Sequence, residues 1–130
     1  VSEESAESLY SKCPYISLHI PANADTRRSI GYDLLRSIPQ GATLVNTARK
    51  EVIDEDGLLK IFGERDDFRY LSDIAPDCQQ ELLEKFGDRV FFTPKKMGAQ
   101  TAEANRNAGV AAARQIVQFL EKGDTTFKVN

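Results

Sequence analysis

The feature that most constrains this chain is a regular alternation of short apolar segments with helical patterns along its 130 residues. Each apolar segment is a few residues long and stops at a proline, a glycine or a polar turn, which is typical of a buried β-strand. The stretches between these segments carry apolar residues at helical spacing. Such alternation predicts an α/β fold, in which a parallel sheet is built with right-handed crossovers.

The boundaries of the elements follow from the same patterns. We predict strands over residues 15–20, 42–46, 68–72 and 89–92. We predict helices over residues 5–12, 31–38, 54–62 and 79–86, with Gly63 capping the end of the third. The clearest helix is the last, because Thr101 is a good N-cap and Gly123 follows the final apolar position.

Composition excludes several classes of function. The net charge of −3 gives no basic surface for nucleic acid, and no apolar run reaches the ~20 residues of a membrane span. Two cysteines and a single histidine, far apart in sequence, argue against a metal site. So few cysteines suit a reducing compartment, and we expect a cytoplasmic protein. The chain begins with Val, so we expect its natural start to lie upstream.

Polar residues follow each predicted strand. In open parallel sheets ligands bind beyond the carboxyl ends of the strands. At this position Arg49 either offers two N–H donors to a carboxylate or is a surface charge. Asp73 either accepts a hydrogen bond from a ligand or is a turn residue. The pair Lys95–Lys96 is either a solvated feature or a source of an acid/base lysine, and His19 is either structural or catalytic. No G-x-G-x-x-G occurs, so a complete dinucleotide site is not supported.

Four segments in order resemble the motifs of the D-2-hydroxyacid dehydrogenase family and cover nearly the whole chain. They read Ser-Leu-His-Ile-Pro at 17–21, Leu-Val-Asn-Thr-Ala-Arg at 44–49, Asp-Ile-Ala-Pro at 73–76, and Thr-Pro at 93–94 followed by Gly-Ala-Gln-Thr-Ala-Glu-Ala at 98–104. The resemblance implies the C-terminal half of a Rossmann-like doubly wound parallel sheet. Residues 1–100 would complete an NAD-binding domain, and residues 101–130 would form a long crossover helix that returns to a substrate domain.

The resemblance also implies roles for particular residues. Arg49 would hold the carboxylate and carbonyl of a 2-hydroxy acid, and Asp73 would contact the nicotinamide side of NAD. The remaining cofactor-binding positions would be His19, Ile20, Pro21, Thr47 and Ala48.

Three positions depart from the family pattern. The usual acid/base histidine after Thr-Pro is replaced by Lys95 or Lys96, since counting from the two flanking motifs gives different positions. The family's assisting glutamate falls at Asp77 or Cys78, and its glycine after the arginine is Lys50, which we expect to face solvent. Lysines here resemble a lysine-dependent subgroup of short phosphoglycerate dehydrogenases.

The function implied for the intact parent is NAD-dependent oxidation of D-3-phosphoglycerate to 3-phosphohydroxypyruvate, the first step of serine biosynthesis. Two alternatives stay open: another D-2-hydroxyacid substrate, such as glycerate or lactate, or a non-enzymatic nucleotide-sensing relative. The chain would be a C-terminal fragment that is inactive alone and binds NAD weakly. We expect apolar surface at Ile16, Leu18, Leu44 and Val45 to be poorly covered, which favours a homodimer or pairing with the missing half.

Overall fold

A computed structural model describes residues 2–94 and 101–129 of the chain. It divides the chain into two compact units, Val1–Lys96 and Met97–Asn130. The first unit holds a four-stranded sheet and its connecting helices, and the second holds one long helix. The predicted α/β class is therefore confirmed.

The sheet is parallel throughout, and its spatial order β1-β2-β3-β4 is the order of the sequence. The strands are β1 (Tyr15–Leu18), β2 (Thr43–Asn46), β3 (Arg69–Ser72) and β4 (Val90–Phe92). The helices are α1 (Ala6–Lys12), α2 (Tyr32–Arg36), α3 (Glu55–Glu64), α4 (Gln79–Phe86) and α5 (Ala102–Lys122), with 3₁₀ turns at Lys50–Val52 and Gly87–Arg89.

The sequence patterns located these elements but not all of their ends. The first strand stops at Leu18 rather than at residue 20, because the chain leaves the sheet before Pro21, which has no N–H for a ladder. Gly63 does not cap α3. It lies inside the helix, which continues to Glu64 and ends where Arg65 N donates to Ile61 O at 2.9 Å.

One face of the sheet carries the core. Right-handed crossovers that step repeatedly in one direction place all their helices on the same side of the sheet. The side chains on that face are buried, among them Ile16, Leu18 and Leu44, which are 5%, 4% and 0% exposed. The expectation that these three would be poorly covered is wrong, because helices within this chain bury them.

The opposite face of the sheet carries the alternate residues of each strand. There Tyr15 and Phe91 are 78% and 60% exposed, whereas Val45 is half-buried. The apolar surface that the sequence led us to expect therefore lies at Tyr15 and Phe91.

A half-buried ion pair lies at the amino end of the sheet. Arg65 donates through Nε and Nη2 to both carboxylate oxygens of Asp67, and its guanidinium also reaches Ile38 O at 2.7 Å and Pro39 O at 2.8 Å. The carboxylate also accepts from Gly41 N, at a turn where φ is +72°. Because Arg65 stabilises the ionised form, the pKa of Asp67 is held well below its usual range.

The long helix α5 of the second unit is capped at both ends. Thr101 Oγ1 accepts from Ala104 N at 3.1 Å at the start of α5, and Gly123 adopts φ +66° at its end, which confirms both predicted boundaries. Apolar side chains of this helix are exposed, including Ile116, Phe119 and Leu120. Among the described residues, no helix is both long and apolar enough to span a membrane.

Candidate functional site

The carboxyl ends of the strands lie level with one another. Pairing runs from Leu18 to Asn46, from Asn46 to Ser72 and from Ser72 to Phe92. The residues that follow each strand therefore emerge at one edge of the sheet. These residues are His19, Thr47, Asp73 and Thr93.

Two segments at this edge, residues 19–22 and 47–49, enclose a cleft of about 460 Å³. The structure thus brings together six of the sequence-predicted positions. The cleft is lined by His19, Ile20, Pro21, Ala22, Thr47, Ala48 and Arg49.

The β1 side of the cleft is shaped by a polar turn. Asn23 Oδ1 accepts from the backbone N–H of Asp25 at 3.0 Å and of Thr26 at 2.9 Å, and the Thr26 hydroxyl donates to Pro21 O. His19 is exposed, and its Nε2 lies 2.9 Å from Ser17 Oγ. The local bonds fix the backbone of this segment while leaving the imidazole at the surface.

The β2 side of the cleft is held by Asn46, which is 1% exposed. Its Oδ1 accepts from Ala48 N at 3.0 Å, and its Nδ2 donates to Arg49 O at 3.0 Å and to Tyr70 Oη at 3.2 Å. Arg49 itself is exposed, with its Nη1 donating to Ala48 O at 2.8 Å. A buried amide therefore anchors the loop, and a guanidinium projects from it.

Asp73 follows β3 at the same edge. Its backbone N–H donates to Asn46 O at 3.2 Å, and its carbonyl accepts from Thr93 Oγ1 at 3.0 Å. Its side-chain Oδ1 is buried and has no hydrogen-bond partner among the residues that the structure describes. A buried acceptor without a partner is costly, so this oxygen is suited to receive a donor from a ligand.

A second set of contacts joins the Arg49 loop to the loop after Asp73. Lys50 Nζ donates to Asp77 Oδ1 at 2.5 Å, and Glu55 accepts from Asp77 N and Cys78 N, both at 2.8 Å. The expectation that Lys50 faces solvent holds only in part, because its side chain is 35% exposed and is ion-paired with Asp77. The hydrogen bond to Asp77 raises the pKa of Lys50, which keeps this amine charged.

Neither candidate for the assisting glutamate provides a carboxylate that is free for acid/base chemistry. Asp77 is occupied by Lys50. Burial, followed by the negative charge of Glu55, raises the pKa of the Cys78 thiol to about 12. The two candidate lysines, Lys95 and Lys96, lie outside the described residues.

Sequence reasoning missed the residues that support this edge. Asn46, Ser72 and Glu55 were given no role, yet Ser72 Oγ lies 2.9 Å from Asn46 O and 2.7 Å from Ile74 O. A signal was present, because an amide at the end of an apolar strand is unusual unless its hydrogen bonds are satisfied. Within the described ranges, no three His, Cys, Asp or Glu side chains form a metal-binding group.

Comparison with known proteins identifies the fold unit. Residues 1–94 match the family described as the NAD-binding domain of D-isomer-specific 2-hydroxyacid dehydrogenases. The chain belongs to this family. Its members are NAD-dependent dehydrogenases, so NAD is the cofactor that the domain is built to bind.

Individual relatives of this dehydrogenase domain include phosphoglycerate dehydrogenases. The crystal structure of an NAD⁺-bound 3-phosphoglycerate dehydrogenase from Entamoeba histolytica has a TM-score of 0.86 and 45% identity, over 98% of this chain and 42% of that one. A D-3-phosphoglycerate dehydrogenase of Haemophilus influenzae is 32% identical over 97% of this chain and 32% of its own length. A hydroxypyruvate reductase of Thermotoga maritima is 31% identical over 88% of this chain and 38% of its own length. The chain thus spans less than half the length of these relatives.

The described residues fit part of an NAD site. The cleft offers the apolar side chains of Ile20, Pro21 and Ala22 beyond the ends of the strands. The buried Asp73 Oδ1 offers an acceptor without a partner among the described residues. Both suit an amide-bearing, flat group such as nicotinamide. The sequence holds no glycine-rich phosphate turn, so the pyrophosphate finds no such anchor in these residues.

Proposed function

We propose that this dehydrogenase domain holds the nicotinamide end of NAD and the carboxylate of a D-2-hydroxy acid. The proposal extends to the complete polypeptide carrying these residues, which we assign to oxidation of D-3-phosphoglycerate to 3-phosphohydroxypyruvate. The observation that carries it is the cleft between residues 19–22 and 47–49, which collects six sequence-predicted positions at one sheet edge. The similarity of this chain to the NAD⁺-bound 3-phosphoglycerate dehydrogenase from Entamoeba histolytica supports the choice of substrate.

Arg49 is proposed to bind the substrate carboxylate. Its guanidinium is exposed at the rim of the cleft, and a planar fork of donors matches the two oxygens of a carboxylate. Holding the carboxylate there would turn C2 of the hydroxy acid toward the cleft. NAD⁺, when bound, accepts the hydride that leaves C2.

Asp73 and a lysine are proposed to complete the chemistry. Asp73 Oδ1 would accept from the carboxamide N–H₂ and so fix the orientation of the nicotinamide. His19, Ile20, Pro21, Thr47 and Ala48 would line the cofactor. Lys95 or Lys96, as the neutral amine, would take the proton of the substrate hydroxyl, and its ammonium would return that proton in the reverse direction.

The organisation of the polypeptide is also proposed. Residues 1–100 would complete the NAD-binding domain, and residues 101–130 would return to a substrate domain. The complete polypeptide would form a homodimer. The exposed apolar residues of α5 support a role in covering another domain. Because the phosphate turn is not in this sequence, the chain alone should bind NAD weakly.

The deciding experiment is NAD⁺ reduction by the complete polypeptide, offered D-3-phosphoglycerate, D-glycerate and D-lactate side by side. A strong preference for D-3-phosphoglycerate supports the proposal. A preference for an unphosphorylated acid would overturn the substrate, and the similarity to a hydroxypyruvate reductase makes glycerate the second candidate. No turnover with any acid would favour a nucleotide-sensing relative.

The role of Arg49 has its own test. Arg49→Lys should lower kcat/KM about 10- to 100-fold, because a single ammonium cannot reproduce a bidentate fork. Arg69→Lys is the control, since Arg69 is also exposed but is the first residue of β3, at the opposite, amino end of the strands. If the two variants had equal kcat/KM, the proposal that Arg49 binds the substrate carboxylate would be wrong.

A further inference from the structure

The buried amide of Asn46 stands apart from the rest of the core. Apart from Ser72, the side chains that the sheet buries completely are apolar or aromatic, whereas Asn46 is 1% exposed at the last position of β2. Burying an amide is unfavourable unless its hydrogen bonds are made. Here three are made, and two of them go to the backbone of the loop that ends at Arg49.

The partners of this amide require asparagine itself. Oδ1 faces a backbone N–H, that of Ala48, and Nδ2 faces a backbone carbonyl, that of Arg49. A flipped amide would set donor against donor and acceptor against acceptor, so a single orientation is compatible with the loop. An aspartate could keep the bond from Ala48 but, as a carboxylate, would oppose the Arg49 carbonyl.

The same residue is also tied to the neighbouring strand. The Asn46 carbonyl accepts from Asp73 N at 3.2 Å, and Nδ2 reaches Tyr70 Oη at 3.2 Å. Asn46 therefore fixes the backbone of Arg49 relative to β3 and to Asp73. The guanidinium projects from a base that is anchored in the core rather than from a free loop.

We infer that Asn46 is a positioning residue for recognition of the substrate carboxylate, acting through Arg49. The inference rests on the proposed role of Arg49. A side chain that must meet both oxygens of a carboxylate depends on the placement of its own backbone, and misplacement by about 1 Å can cost on the order of 100-fold in rate. Loss of the Asn46 amide leaves the loop backbone without these anchors.

The test is a double-mutant cycle in the complete polypeptide. Asn46→Asp should raise the KM for the hydroxy acid about tenfold or more. The variant should still show a cooperative thermal unfolding transition, which establishes that it folds. If Asn46→Asp does not fold, Asn46→Ser takes its place in the cycle. In an Arg49→Leu background the same substitution should change KM less than about twofold, because the interaction it supports is already gone. Tyr70→Phe is the control, since it removes one bond of the same amide without touching the loop.

The outcomes separate the two proposals. If Arg49→Leu leaves KM unchanged, the role of Arg49 is wrong and this inference falls with it. If Arg49→Leu raises KM but Asn46→Asp does not, only the positioning role is overturned. If Tyr70→Phe raises KM as much as Asn46→Asp, the effect reflects general loss of stability and the inference is also overturned.

Discussion

Substitution of Gly57 by alanine should destabilise the protein, although helix propensity alone favours the opposite result. Gly57 lies in the first turns of α3, where α3 packs against α2. A Cβ at this position would lie 2.6 Å from Tyr32 N and 3.2 Å from Tyr32 Cα. Both atoms belong to the backbone of α2, so a rotamer change cannot relieve the overlap.

The magnitude follows from two opposing effects. Alanine in place of glycine inside a helix contributes about 0.5–1 kcal/mol of stability. The new methyl, however, falls roughly 1 Å short of ordinary van der Waals separation, and overpacking of this kind costs about 1–3 kcal/mol. We expect a net loss of about 1–2 kcal/mol in the free energy of unfolding.

Urea denaturation followed by circular dichroism measures this difference. Gly63→Ala is the matched control, because Gly63 lies in the same helix and a Cβ there would meet nothing within 4 Å. That variant should gain about 0.5–1 kcal/mol, since propensity acts there without a clash. If both variants gained stability equally, the close approach of α2 and α3 would be wrong.

Two further predictions concern titratable groups. Because the folded pKa of Asp67 is depressed by Arg65, its contribution to stability is present above the unfolded value of ~3.9 and is lost as pH falls. Wild type should therefore lose more unfolding free energy between about pH 5 and pH 2 than Asp67→Asn, and equal losses in urea titrations would contradict the ion pair. Cys78, with its thiol pKa raised to about 12, should be alkylated by iodoacetamide at pH 8 far more slowly in the native chain than in urea. Peptide mass spectrometry reports this rate, and a native rate equal to the rate in urea would refute the assigned environment.

Local sequence patterns were sufficient to locate the helices and strands, because apolar periodicity and capping act over a few neighbouring residues. Alternation of apolar segments predicted the parallel α/β fold, and the caps of α5 were read from Thr101 and Gly123. Errors arose where the local pattern was permissive. Gly63 could have ended α3, but it faces open space and fits equally well inside the helix.

Residue types at strand ends also predicted which positions lie together at the carboxyl ends of the strands. Because parallel strands share the direction of their carboxyl ends, the segments at 19–21 and 47–49 were expected to lie together, and they line one cleft. The register of the strands turned that expectation into a specific geometry.

The sequence by itself determined the fold class and the family, and it predicted the edge of the sheet at which we propose that ligands bind. Only the tertiary structure decided which side chains support that edge, because these partnerships join residues far apart in the chain. Asn46 meets Tyr70 across 24 positions, and Lys50 meets Asp77 across 27. Local propensity acts over a few residues, so contacts of this range depend on strand order and register, which exist only once the sheet has formed.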